Sequence, residues 1–264
     1  MSRPPQPLPR LYRWRTNILQ GPLLFVSTAV CGSLALFASL FDPSGRLQHR
    51  VAQNWARLCV WSSFSRVTVR GAENLGRHPV AVYAANHTSY MDTPVIFASL
   101  PFQFRILAKK ELWSYPFIGW YLARSGQIPI DTVNPRATVS SLGVGLKALR
   151  GGMPLFVFPE GGRTPNGELQ SFLSGAAYLA IRAQVPLVPI ALSGVYDLLP
   201  IHTRHFYPGE LVMTVGDPIE TTGLHIRQAE ELTERLKAAI EAMRGLSTQG
   251  SERSEVAQTG AAAV

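Results

Sequence analysis

Pro79-Val80-Ala81-Val82-Tyr83-Ala84-Ala85-Asn86-His87-Thr88-Ser89-Tyr90-Met91-Asp92 is the stretch from which the rest of the chain can be read. Its first half is a short apolar run rich in Val and Ala, the composition of a buried strand, and it ends in an Asn-His turn that delivers polar side chains at the strand's carboxyl end. Open α/β sheets place their chemistry there. Histidine is the residue type whose charge changes near neutral pH, and Asp92, five positions after His87, is placed to hold the second ring nitrogen and fix the tautomer. On one continuous helix five residues rotate the chain by roughly 140°, which would point the pair apart. The pairing therefore requires His87 in a loop, with a helix starting near Ser89 and Asp92 in its first turn. A competing reading makes Ser89-x-x-Asp92 a capping box, with Asp92 merely satisfying backbone N–H groups.

The chain has 264 residues, enough for one full-sized domain and an appendage, and carries a net charge of +8. That charge attracts polyanions, either nucleic acid or anionic lipid headgroups. No interleaving of aromatic and basic residues typical of a nucleic-acid module supports the first. Cys31 and Cys59 are the only cysteines and have no metal-ligand spacing around them, so neither a disulfide framework nor a zinc site is expected. His202 and His205 lack a third clustered ligand and read as solvated or capping residues.

Residues 1–65 form a basic arm followed by two helical segments. Asn17 to Phe41 contains no charged residue and, if helical, extends about 37 Å against a hydrocarbon core of about 30 Å. Membrane contact is expected, whether spanning or interfacial, and arginines on both flanks leave the orientation open. A secretory signal peptide has the same basic start, but its apolar part is normally about 7–15 residues, and no small-x-small cleavage site is evident. From Arg46 to Phe64, Leu47, Val51, Trp55 and Leu58 recur at helical spacing. This amphipathic helix suits either the headgroup region or the globular core.

Residues 66–244 alternate strand and helix patterns. Strands are predicted at 66–70, 104–108, 126–131, 154–158, 185–190 and 211–215, and helices to about Leu100, over 135–149, over 172–183 and over 229–243. The fold class is α/β, a mixed and largely parallel sheet flanked by helices, preceded by the membrane-associated helical segment. Gly143-x-Gly145-x-x-Ala148 imitates a dinucleotide fingerprint, but its glycines sit inside a helix with no strand before them. From Gly245 to Val264 the composition is that of a disordered tail.

A second loop completes the pattern. After the apolar Pro154-Leu155-Phe156-Val157-Phe158 comes Pro159-Glu160-Gly161-Gly162-Arg163-Thr164, in which glycines can open backbone N–H groups to an anion and Arg163 offers a planar fork. Asn86-His87-x4-Asp92 followed by Phe158-Pro159-Glu160-Gly161-Gly162-Arg163-Thr164 resembles the glycerolipid acyltransferase family typified by 1-acylglycerol-3-phosphate acyltransferases. The resemblance covers roughly residues 80–195. It implies the family's α/β acyltransferase fold, with His87 as general base, Asp92 as its orienting carboxylate, and Lys109, Arg136, Glu160, Gly161, Gly162, Arg163 and Thr164 as substrate-binding residues. The implied partners are a membrane lipid acceptor, an acyl-CoA or acyl-carrier protein donor and the membrane surface, with no metal, cofactor or nucleic acid, and an active site facing the cytoplasm.

Two departures from the family matter. Lys109, Leu112 and Gly119 match its second motif, but Thr132 stands where an arginine is usual, and a hydroxyl cannot imitate a bidentate phosphate clamp. Either Arg136 replaces that arginine, or the acceptor lacks a phosphate there. Gly162 stands where the family usually has threonine. Val185 to Ile190 matches the apolar fourth motif, thought to line the acyl site. The implied function is acyl transfer to 1-acylglycerol-3-phosphate, with another lyso-lipid acceptor or a non-catalytic lipid-binding role as alternatives.

Overall fold

A computed structural model describes residues 13–131, 133–201, 203 and 205–261, with side chains to residue 246 apart from that of Pro135. Thr132, His202 and the first part of the basic arm lie outside the described residues. In chain order the elements are α1 (Arg15–Ala38), α2 (Arg46–Ser62), β1 (Arg66–Arg70), β2 (Val82–Ala85), α3 (Asp92–Ser99), β3 (Arg105–Lys109), α4 (Ile118–Arg124), β4 (Ile128–Ile130), α5 (Pro135–Arg150), β5 (Leu155–Val157), α6 (Gly175–Ala183), β6 (Leu187–Ser193), α7 (Val195–Leu198), β7 (Glu210–Val215) and α8 (Ala229–Ala261).

The strands form one sheet in the order β1-β7-β6-β2-β5-β3-β4, parallel throughout except between β6 and β7. β2 lies in the middle and all its residues are buried. Alternate residues serve opposite faces. Tyr83, Ala85, Phe156 and Ile190 pack with Ala56 and Cys59 of α2 and Val95 and Ile96 of α3, whereas Val82, Ala84, Leu155 and Leu187 pack with Leu179 of α6 and Leu232, Leu236 and Ile240 of α8. The chain leaving β2 thus enters a helix on one face, and the chain leaving its neighbour β5 enters a helix on the other. Adjacent strands whose connections diverge in this way open a crevice at their carboxyl ends.

Gly145 lies where α5 meets the sheet: a Cβ there would come within 3.1 Å of Leu155, so this glycine serves close helix–sheet packing and not a nucleotide. α8 runs on as helix to Ala261, past the Gly245 boundary set by composition. No proline follows Gly245, and each of the glycines at 245, 250 and 260 costs only about 1 kcal/mol inside a helix.

α1 is 24 residues long and apolar enough to cross a membrane, yet one side is docked on the domain. Ser27, Gly32 and Ala35 face inward, while Ile18, Phe25, Val26, Val30, Leu34 and Phe37 are each more than half exposed. A Cβ on Gly32 would lie 2.7 Å from the Cβ of Phe117, so the glycine admits the start of α4. Polar contacts secure the docking. Gln20 Nε2 donates to the Ser62 carbonyl at 2.7 Å and Trp55 Nε1 to Thr28 Oγ1 at 3.0 Å. α2 therefore lies between α1 and α3, and of its two predicted settings the structure shows the packed one: Ala52, Ala56, Cys59 and Val60 are buried in the core.

His49 of α2 is only 2% exposed, between the rings of Phe97 and Phe104, with Nε2 on the Phe102 carbonyl at 3.1 Å. Burial, ahead of the repulsion from Arg105, lowers its pKa from 6.5 to about 4. The unfolded chain then binds the extra proton between these values, so His49 stabilises the fold fully above pH 6.5 and loses that contribution as pH falls through 4. The linkage amounts to about 3 kcal/mol. Urea unfolding at pH 7 and pH 4.5 is expected to show a smaller loss of stability in His49→Gln than in wild type.

Candidate active site

The carboxyl end of β2 is pinned by Asn86. Its side chain donates to the Leu192 carbonyl at 3.0 Å and accepts the Leu192 N–H at 2.8 Å, locking the strand end to β6. The next residue, His87, leaves the sheet and turns back. Its Nδ1 meets Asp92 Oδ2 at 2.8 Å, and the same oxygen accepts the N–H groups of Thr88 at 2.6 Å and Ser89 at 2.8 Å. The two readings of Asp92 are therefore both realised, because one carboxylate oxygen folds the turn and orients the imidazole. The reciprocal capping box is not formed: Ser89 Oγ donates to the Leu199 carbonyl instead. Asp92 is fully buried and begins α3, whose N-terminus favours its negative charge. With Nδ1 turned to Asp92, Nε2 is the ring nitrogen of His87 left for other contacts.

β5 lies beside β2 in parallel register, Val82 opposite Leu155 and Ala84 opposite Val157, so the Pro-Glu-Gly-Gly-Arg loop emerges next to His87. Two backbone links join the loops: the His87 N–H donates to Glu160 Oε1 at 2.7 Å, and the Thr164 N–H donates to the His87 carbonyl at 3.1 Å. The Phe158 ring stacks on the imidazole with centroids 4.0 Å apart and planes 14° from parallel. Glu160 Oε2 accepts the Gln170 N–H at 3.1 Å. Burial raises the Glu160 pKa, against the pull of these two N–H donors.

Each Glu160 oxygen accepts one backbone N–H, so Glu160 braces the loop. Thr164 is fully buried, so it braces through its backbone instead of lining the crevice. Glu160→Gln would set an amide NH₂ against a buried N–H. A loss of about 1–3 kcal/mol is expected, read as a lower denaturation midpoint, together with reduced activity as His87 shifts.

His87, Lys109, Gly161, Gly162 and Arg163 all line one crevice of about 610 Å³. Gly161 has φ +68°, a left-handed conformation suited to glycine, whereas a Cβ on Gly162 would meet nothing within 4 Å. Arg163 and Lys109 are exposed at the crevice, and among the described residues neither pairs with a carboxylate. The neighbouring Lys110 is engaged, its Nζ lying 2.5 Å from Asp131 Oδ2, which raises the lysine pKa and lowers that of the aspartate. Arg136 is exposed on α5, and Thr138, Val139 and Leu142 are the α5 residues that line the crevice. Among the described residues no group of three or more His, Cys, Asp or Glu side chains is arranged to hold a metal.

Beneath the crevice, and sharing Thr93, Ile106, Ala108 and Leu112 with it, lies an apolar cavity of about 230 Å³ between α1, α2, α3 and α4. Trp55, Phe97, Phe117 and Tyr121 help to line it. Phe158 and Tyr90 are the site residues that sequence reasoning missed. Both belonged to the quoted motifs, but an aromatic beside a motif gives no signal of which ring or cation it will face.

A histidine held by a buried carboxylate thus shares one crevice with Lys109 and Arg163 and lies next to an apolar cavity. The comparisons name a family for this arrangement. The family model described as Acyltransferase matches residues 66–193. The chain is 32% identical to a 1-acyl-sn-glycerol-3-phosphate acyltransferase of Pseudomonas aeruginosa, covering 83% of this chain and 86% of that one. It is 30% identical to the enzyme of that name from Saccharomyces cerevisiae, over 83% of this chain and 74% of that one. With the chloroplastic LPAT1 of Arabidopsis thaliana identity is 35% over 62% of this chain, which spans only 46% of that relative's length. The crystal structure of the 1-acyl-sn-glycerophosphate (LPA) acyltransferase PlsC from Thermotoga maritima shares the fold, with a TM-score of 0.78 at 24% identity over 90% of this chain and 97% of that one. The chain belongs to the acyltransferase family.

Proposed function

We propose that this protein is an O-acyltransferase that moves a fatty acyl group from acyl-CoA or acyl-carrier protein to the free hydroxyl of 1-acylglycerol-3-phosphate, giving phosphatidate. The observation that carries this reading is the His87–Asp92 contact of 2.8 Å, in one crevice with Arg163 and Lys109. His87 Nε2 takes the proton of the acceptor hydroxyl as its oxygen attacks the thioester carbonyl, and Asp92 stabilises the imidazolium. Collapse of the tetrahedral adduct breaks the C–S bond and forms the ester. The thiolate leaves with the proton from His87. No acyl-enzyme and no cofactor enters this scheme, because a thioester is already activated.

Arg163 and Lys109 bind the acceptor phosphate, and the apolar cavity takes acyl chain. The exposed face of α1 supports membrane association. Because α1 is fastened along the domain, it lies within one leaflet, apolar face outward, and the basic charge of the protein draws it to anionic lipid. The active site faces the cytoplasm, where the water-borne donor resides.

The test is thiol release by purified protein with acyl-CoA and three acceptors: lysophosphatidate, glycerol 3-phosphate and a phosphate-free lyso-lipid. Preference for lysophosphatidate supports the proposal. Preference for the last acceptor would make Thr132 the mark of a different specificity, and no thiol release with any acceptor or donor would leave a lipid-binding protein.

A further inference from the structure

We propose that Tyr90 is a positioning residue for the acceptor phosphate, acting through Arg163. This rests on the acyltransferase reading above. The guanidinium carbon of Arg163 lies 3.9 Å from the centroid of the Tyr90 ring, well inside the range of about 6 Å at which a cation is attracted to an aromatic face. Arg163 leaves a glycine-rich loop whose one carboxylate, Glu160, is bound to two backbone N–H groups. Among the described residues the Tyr90 ring is the group that restrains its charged end.

The choice of an aromatic ring has a chemical consequence. A carboxylate partner would hold the guanidinium more tightly but would neutralise it and occupy its N–H fork. A ring face restrains the cation without taking its in-plane donors, which stay available for a phosphate. Tyr90 does not owe its place to the core, being 52% exposed, and its hydroxyl has no hydrogen-bond partner among the described residues.

Its backbone stands between His87 and Asp92, in the turn that the Asp92 carboxylate holds closed. The ring therefore sets the phosphate-binding cation in register with the catalytic base. Tyr90 also lines the apolar cavity, while Arg163 lines the crevice. With Thr132 in place of the arginine usual in the family, Arg163 carries more of the headgroup, and so its tether matters more.

The test is steady-state kinetics with lysophosphatidate on wild type, Tyr90→Leu, Tyr90→Phe, Arg163→Ala and the double variant Tyr90→Leu/Arg163→Ala. Tyr90→Leu is expected to raise KM for lysophosphatidate by about three- to thirtyfold, with kcat and the donor KM nearly unchanged. Tyr90→Phe keeps the aromatic face and is expected to restore the wild-type KM. In the Arg163→Ala background Tyr90→Leu is expected to add nothing. The inference is overturned if Tyr90→Leu leaves KM unchanged, if it has the same effect with and without Arg163, if Tyr90→Phe is as impaired as Tyr90→Leu, or if the donor KM rises alongside. Wild-type protein that releases no thiol would instead overturn the proposed function on which the inference stands.

Discussion

His87→Ala is expected to lower kcat for acyl transfer by about 10²–10⁴, the usual contribution of a positioned base. His87 is the one imidazole that lines the crevice among the described residues. Lys109 and Arg163 line it too, and each Glu160 oxygen accepts a backbone N–H. The substitution also isolates chemistry from folding. His87 is tied to the second loop through its own N–H and carbonyl, which alanine retains, so the loop pair stays joined. The loss should appear in thiol release while thermal unfolding stays near wild type, apart from the lost stacking on Phe158. A variant that keeps more than about a tenth of wild-type kcat would remove His87 from the mechanism.

Asp92→Asn is expected to cost a similar factor in rate for a different reason. An amide oxygen at the Oδ2 position can still accept from Thr88, Ser89 and His87, so the turn survives. What disappears is the negative charge that stabilises the imidazolium as the hydroxyl proton moves to Nε2. The other carboxylate oxygen, Oδ1, is buried without a hydrogen-bond partner. An NH₂ placed there remains unpaired, which adds a stability cost of about 1–3 kcal/mol. Asp92→Ala strands three donors at once and should unfold at clearly lower denaturant than Asp92→Asn. Comparing the two by kcat and by denaturation separates the electrostatic role from the structural one. Equal stability of the two variants would contradict the geometry of this turn.

Much of the site could be read along the chain because its contacts are local. His87, Thr88, Ser89 and Asp92 lie within six residues, and the closure of that turn depends on a short carboxylate reaching N–H groups three and four positions back. The strand at Arg66–Arg70 and the helix from Pro135 were likewise readable, from alternation in one case and from Asn134 capping Arg136 and Ala137 in the other. The bracing contacts of Glu160 were not legible, for the opposite reason. Its partner is the N–H of His87, 73 residues away, and only the parallel pairing of β2 with β5 brings them together.

The chain by itself determined the strand and helix alternation, the His87–Asp92 pair and an apolar segment long enough for a membrane, because each follows from periodicity or from hydrogen bonds a few residues long. Only the tertiary structure decided which charges face the crevice. Strand order and helix docking left Arg163 against Tyr90 and engaged Lys110 with Asp131, and they seated α1 along the domain. Such partners are chosen by packing between segments distant in sequence, where composition and spacing carry no information.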